Sequence, residues 1–114
     1  MDIEEFRMYC LSMPNSYEGM PFNGFFRNSR SILVFYIDKK MFCMVDIDKF
    51  ESCTIKCNTD TIDNLKEQYH AVDKPFNLSS KYWISIRFYE DVPDRLLKKM
   101  IRESYDLVSE GLKR

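Results

Sequence analysis

A six-residue apolar segment, Ile32–Ile37, is the feature that most restricts how this chain can fold. Its β-branched and aromatic residues are apolar on both faces, which is typical of a central strand. Residues 41–46 form a second strand-like segment, separated from the first by the turn-like tripeptide Asp38-Lys39-Lys40. This spacing predicts an antiparallel hairpin with the lysines at its tip.

Residues 53–57 and 83–88 alternate between apolar and polar side chains, the pattern of a strand with one buried face and one exposed face. One set of side chains is expected to face the helices: Cys53, Ile55, Cys57, Ile84, Ile86 and Phe88. The other set is expected on the outer face of the sheet: Thr54, Lys56, Trp83, Ser85 and Arg87.

Apolar residues at spacings of three and four predict three helices, over residues 2–13, over residues 60–70 and from Pro93 onwards. Asp2 begins the first helix as an N-cap, and residues 58–60 supply capping side chains for the second. Between the first helix and the apolar strand, glycines and prolines predict turns and irregular chain, with a short edge strand as an alternative.

The order of these elements predicts an α+β fold of two layers. Three helices would pack on one face of an antiparallel sheet of four to five strands. The predicted order is one helix, three strands, one helix, one or two strands, and one helix. A chain of 114 residues with 45% hydrophobic side chains can bury a core of its own. We therefore expect a single domain over residues 1–114.

The charges of the chain nearly balance, since 17 lysines and arginines face 18 aspartates and glutamates, for a net charge of -1. This balance selects no polyanionic partner by itself, because nucleic-acid binders usually carry a basic excess. The longest apolar run is far shorter than the roughly 20 residues that cross a bilayer. The acidic, amphipathic start is unlike a secretory signal. The sequence therefore predicts a cytoplasmic protein with no membrane partner.

Catalytic motifs are scarce. His70 is the one histidine, at a predicted helix end, and the three glycines form no phosphate-binding fingerprint. In a strand, Cys53 and Cys57 would lie about 13 Å apart, whereas disulfide Cα atoms approach within about 7 Å. With Cys10 and Cys43, they are predicted to be buried, reduced thiols. We expect no catalytic residue, no metal and no cofactor, and therefore a protein that is not an enzyme.

Five short motifs nevertheless occur in a distinctive order and spacing. They are Lys40-Met41-Phe42, Lys56-Cys57, residues 65–69, Lys81-Tyr82-Trp83-Ile84 and Ser104-Tyr105. On these residues the chain resembles the MmcQ/YjbR family of small bacterial proteins, from Ile3 to about Leu112. Residues 75–79 depart from the glycine-tyrosine-histidine-methionine-asparagine stretch common in the family, so only Lys81 and Trp83 are carried over there. Residues 23–31 look longer than the matching family segment.

The resemblance implies a fold like that of secretion chaperones, and it implies DNA binding through a likeness to a double-wing DNA-binding domain. On this basis the outer sheet face and hairpin tip are the predicted DNA-binding surface. Its residues would be Lys39, Lys40, Lys56, Lys81 and Arg87 on phosphates, with Trp83 packed nearby.

Three alternatives remain open at the level of sequence. The same face suits a protein or peptide partner, because tryptophan and arginine are favoured interface anchors. A small-molecule pocket could lie between residues 74–80 and the sheet around Trp83. In the simplest case the 74–80 loop covers Trp83, and the cations pair with surface acids.

Overall fold

The computed structural model describes residues 1–21, 31–75 and 78–112. The described chain contains three helices and six strands. In chain order they are α1 Ile3–Leu11, β1 Ser16–Gly19, β2 Ile32–Ile37, β3 Lys40–Asp46, β4 Ser52–Lys56, α2 Thr59–Gln68, β5 Val72–Asp73, β6 Trp83–Arg87 and α3 Asp94–Leu112.

The six strands form one antiparallel sheet in the order β1-β2-β3-β4-β6-β5. The predicted α+β class and the three helices are confirmed. The strand count is higher than the predicted four to five, because four strands rather than three precede α2 and the two-residue strand β5 follows it. The additional strand before α2 is β1, the short edge strand that pairs with β2. The predicted lengthening over residues 23–31 lies almost wholly outside the described residues.

The central hairpin contains a β-bulge that changes which side chains enter the core. Phe35 pairs with Cys43 and Tyr36 pairs with Met41, so Phe42 has no partner across the ladder. Phe42 and Cys43 are both fully buried. An extra residue in one strand bends it and breaks strict alternation, which allows two consecutive side chains to face the helices.

The helices cover one face of the sheet. α3 packs across β3 and β4, α1 packs against β1, and α2 packs against β5. Aromatic side chains fill one end of the core, and aliphatic side chains of β4 and β6 fill its middle. Its largest fully buried members are Phe6, Phe35, Phe42, Ile55, Ile84, Ile86 and Ile101.

Side-chain caps determine where the first two helices begin. The Asp2 carboxylate accepts the amide hydrogen of Glu5 at 2.8 Å, and the Asn58 side chain accepts that of Asp60 at 3.0 Å. Such caps satisfy amide groups that have no partner within the helix. Both predicted N-caps are therefore confirmed, whereas α1 ends at Leu11 and α2 at Gln68, two residues earlier than predicted.

The predicted division of β4 and β6 into two faces is confirmed by their pairing. Lys56 lies opposite Trp83, and Ser52 lies opposite Arg87. Directly opposed residues of an antiparallel pair project from the same face, and these side chains are partly exposed while Ile55 and Ile84 are buried. Among the helices of the described ranges, none has the length and apolar character needed to cross a membrane.

Candidate functional site

The tip of the β2–β3 hairpin carries two of the predicted lysines. Asp38 and Lys39 have φ angles of 46° and 67°, the left-handed pair that a two-residue hairpin turn of type I′ requires. Glycine or asparagine is usual at such positions, because a β-carbon is strained there. The Lys39 amide donates to the Tyr17 hydroxyl at 2.9 Å. The β1 edge strand therefore holds the lysine tip in place.

Lys56 and Trp83 meet at the same end of the sheet as this tip. They are opposite one another on β4 and β6, and both line a hollow of about 330 Å³ with Lys40 and Met41. The C-terminal part of α3 closes the other side of the hollow through Leu107, Val108 and Gly111. Three predicted site residues, one from each of β3, β4 and β6, are thus brought together.

Lys81 lies two positions before Trp83, the first residue of β6 and one of those that line the hollow. Its ammonium is 5.5 Å from the centre of the Tyr82 ring, and its backbone carbonyl accepts the Thr59 hydroxyl at 2.8 Å. The Tyr82 side chain is 45% exposed. We call Lys39, Lys40, Lys56, Lys81 and Trp83 the lysine end of the sheet.

Arg87 is the one predicted site residue that lies apart from the lysine end. Four residues of β6 separate it from Trp83, about 13 Å at the rise of a strand. Its guanidinium contacts Asp73 at 3.4 Å and Glu90 at 3.0 Å, and it donates to the His70 carbonyl. Arg87 is therefore engaged with two carboxylates at the opposite end.

A buried serine ties the lysine end to the helix layer. Ser104 of α3 is fully buried; its hydroxyl donates to the Phe42 carbonyl at 2.5 Å and accepts the Lys56 amide hydrogen at 2.8 Å. The neighbouring Tyr105 packs edge-on against the Phe42 ring and donates to the Pro14 carbonyl. Ser104 thus fixes the backbone of β3 and β4 at the point where their lysines emerge.

Sequence reasoning missed a groove between α2 and α3, which we call the interhelix groove. Its volume is about 460 Å³, within the range of ligand sites. Buried side chains of β4 and β6 lie at its floor, and apolar side chains line its two banks, half-buried except for the buried Met100. The residues concerned include Ile55, Ile84, Leu65, Tyr69, Leu96 and Met100. The four-residue spacing of Leu65 and Tyr69 was a signal for α2, but it did not reveal that this face stays partly open.

Cys57, at the rim of the interhelix groove, differs from the other cysteines. All four are free, but Cys10, Cys43 and Cys53 are buried while Cys57 is half-buried. The prediction of four buried thiols is therefore wrong for Cys57, which lies just beyond the end of β4. Burial and the negative charge of Glu103 raise the pKa of the Cys57 thiol, and its hydrogen bond with Thr61 opposes that rise.

This environment predicts slow, pH-dependent alkylation of Cys57. The thiolate is the reactive form, so a raised pKa leaves less of it at neutral pH, and the rate should climb as pH rises past the ordinary thiol pKa. A maleimide should modify Cys57 more slowly than a cysteine in a short peptide, and Glu103→Gln should accelerate the reaction. The control is Glu67→Gln on the same protein. Slower alkylation of the Glu103→Gln protein would contradict the electrostatic explanation.

The five motifs that carry the family resemblance meet in one region of the structure. Lys40, Met41, Lys56 and Trp83 line the hollow at the lysine end. The motif residues that line the interhelix groove are Lys56, Cys57, Leu65, Gln68, Tyr69 and Ile84. Ser104 joins the two regions by bonding to the backbone of Phe42 and Lys56. These separate stretches of sequence therefore surround two adjacent depressions that share the Lys56 side chain.

Comparison with solved structures supports the fold. A crystal structure of a Deinococcus radiodurans protein with the domain DUF419 is 26% identical to this chain, with a TM-score of 0.81 over 94% of this chain and 78% of that chain. A Pseudomonas syringae protein is 12% identical in its crystal structure, with a TM-score of 0.74 over 94% of this chain and 98% of that chain. A solution structure from the same organism gives 13% identity and a TM-score of 0.71 over 94% of this chain and 92% of that chain. The two Pseudomonas structures support the fold alone.

Comparison of sequences gives the family. The sequence matches no curated protein significantly. The YjbR family model matches residues 11–107, which is most of the chain and includes all five motifs. The chain therefore belongs to the YjbR family.

Proposed function

We propose that this protein binds DNA through the lysine end of its sheet. The observation that carries this proposal is that Lys40 and Lys56 line one hollow with the partly exposed Trp83. Lys39 precedes Lys40 in the hairpin turn, and Lys81 lies two positions before Trp83. Within the described residues, none of the four ammonium groups lies in an ion pair. Unpaired cations beside an aromatic ring suit a phosphate backbone and its bases.

The distribution of charge explains how a chain with a net charge of -1 could bind a polyanion. Carboxylates gather at the other end of the sheet, around the β3–β4 turn, β5 and the start of the β6–α3 loop. They are Asp46, Asp48, Glu51, Asp73, Glu90 and Asp91. These six carboxylates lie away from the four lysines, and local field rather than net charge guides association at a site.

Binding would be dominated by phosphate contacts and therefore by salt. Four lysine–phosphate contacts predict a slope of log affinity against log salt of about -3.6, so that affinity falls about 100-fold between 50 and 200 mM salt. Fluorescence anisotropy with a short labelled duplex measures this slope directly. Replacing Lys40, Lys56 and Lys81 together by alanine should reduce it to about -0.9.

A matched variant removes three lysines elsewhere. Lys49, Lys66 and Lys74 are exposed and lie outside the lysine end, so their replacement by alanine changes the net charge equally. Arg87→Ala should have a smaller effect than any lysine of the cluster, because Arg87 is already paired with acids. An equal loss of DNA affinity in the two triple variants, or DNA binding that is insensitive to salt, would contradict the proposal.

The function is binding rather than catalysis, and the protein works in the cytoplasm. The lone histidine supports binding rather than catalysis, since His70 is exposed beyond α2 and engages its neighbours through backbone groups. Four free cysteines suit a reducing compartment. Hydrolysis or modification of a nucleic-acid substrate by the purified protein would show that the function is not binding alone.

A further inference from the structure

The interhelix groove is open because α2 uses only part of its apolar face. Ile62 is the one residue of α2 that is buried, while Leu65 and Tyr69 are half-buried and face the groove. α2 packs against the two-residue strand β5. Because the floor residues Ile55 and Ile84 are fully buried, the accessible apolar surface of the groove is that of the half-buried residues on its banks.

The facing bank, on α3, has an apolar row of its own. Leu96, Met100 and Leu107 line the groove at spacings of four and seven residues, which lie on one side of a helix. Leu96 and Leu107 are half-buried although they sit beside the buried core row of the same helix. The apolar surface of α3 is thus wider than the sheet can cover, and it faces the apolar residues of α2.

The interhelix groove follows α3 for most of that helix. Along α3 it extends from Leu96 to Glu110, a distance of about 21 Å at the rise of a helix. Its length suits about six residues of extended chain.

Charged side chains of α3 form one rim of the interhelix groove. Glu103 and Glu110 lie two turns apart and form no ion pair in the described part of the chain, whereas Asp106 between them is paired with Arg102 at 3.2 Å. Lys99 lies nearer the N-terminal end of α3. The C-terminal half of this bank is therefore acidic, and across the groove β4 contributes the cation of Lys56.

We propose that the interhelix groove binds an extended, amphipathic segment of another protein. Apolar side chains of that segment would rest against the half-buried side chains of the two banks, and basic side chains on its other side would meet Glu103 and Glu110. The half-buried bank residues are Leu65, Tyr69, Leu96 and Leu107. The groove shares Lys56 with the lysine end, but the ligand proposed for it is apolar and basic rather than a polyanion.

A pair of synthetic peptides tests the site. In one labelled peptide leucine alternates with lysine, and in the other leucine alternates with glutamate. The wild-type protein should bind the lysine peptide about tenfold more tightly than the glutamate peptide. This is the difference expected when two exposed glutamates meet lysines rather than other carboxylates. The double variant Glu103→Lys with Glu110→Lys should reverse this preference.

Two further variants separate the groove from general charge attraction. Asp63→Lys with Glu67→Lys makes the same change of charge on exposed positions of α2 that do not line the groove, and it should leave the preference for the lysine peptide intact. Leu65→Asn should weaken binding of both peptides by removing apolar contact. Bound lysine peptide should also protect Cys57 from maleimide, because that thiol lies in the groove.

The outcomes decide the proposal without reference to DNA. The proposal is supported if Glu103→Lys with Glu110→Lys reverses the peptide preference and Asp63→Lys with Glu67→Lys retains it. Protection of Cys57 by bound lysine peptide would also support it. Absence of binding by both peptides, equal effects of the two double variants, or unprotected Cys57 at saturating peptide would overturn it. Loss of DNA binding in the lysine variants has no bearing on these results, because the peptide assays contain no nucleic acid.

Discussion

Replacing Phe6 by alanine should lower the free energy of unfolding by about 3–5 kcal/mol, the usual cost of deleting a fully buried phenylalanine ring. Phe6 is 0% exposed and holds α1 against the sheet. Its ring meets three others edge-on: Phe35 at 6.0 Å, Phe50 at 5.9 Å and Phe88 at 5.5 Å between ring centres. The substitution removes these aromatic contacts and leaves a cavity. Urea denaturation followed by circular dichroism measures the change.

Met8 provides the matched control on the same helix, since its side chain is 68% exposed. Met8→Ala should change the free energy of unfolding by no more than about 0.5 kcal/mol. If Phe6→Ala were as mild as Met8→Ala, the packing of α1 described above would be wrong.

Replacing Ser104 by alanine should cost about 3 kcal/mol, because it deprives two backbone groups of their partner at once. The Ser104 hydroxyl bonds to the carbonyl of Phe42 and to the amide of Lys56. The space vacated is small, so the loss comes mainly from unsatisfied polar groups rather than from a cavity. The same denaturation experiment gives the magnitude, and hydrogen exchange at the Lys56 amide should become faster.

Ser109 is the control for this substitution, because it lies on α3 and is partly exposed. Ser109→Ala should be neutral or slightly stabilising, since alanine is the better helix former. A Ser104→Ala protein with unchanged stability and unchanged exchange at Lys56 would disprove the bonding scheme.

Elements with a strong local pattern could be predicted from the sequence. β2 has the predicted bounds because Ile32–Ile37 is uniformly apolar and is bounded by polar residues. β5 had no such signal, since a two-residue strand shows no periodicity and exists through its pairing with β6. Phe42 breaks the alternation expected of β3, because a bulge depends on how two strands fit together rather than on either strand alone.

The candidate site, like the fold, could be predicted only in part from the sequence. Alternation along β4 and β6 was sufficient to assign Lys56, Trp83 and Arg87 to the outer face. The sequence grouped all three, but the pairing of Arg87 with Asp73 and Glu90 depends on how the chain folds around the end of β6. The interhelix groove could not be predicted, because its banks are helices far apart in the sequence and its width depends on their packing.

The edges of the sheet have a consequence for the behaviour of the protein at high concentration. Among the strands of the described residues, β1 and β5 are the outermost, and they contain four and two residues. Each carries an acidic residue, Glu18 or Asp73. Short, charged edges offer few free backbone groups to a strand from another molecule. The sheet is therefore poorly suited to edge-to-edge polymerisation, even though its central strands are strongly apolar.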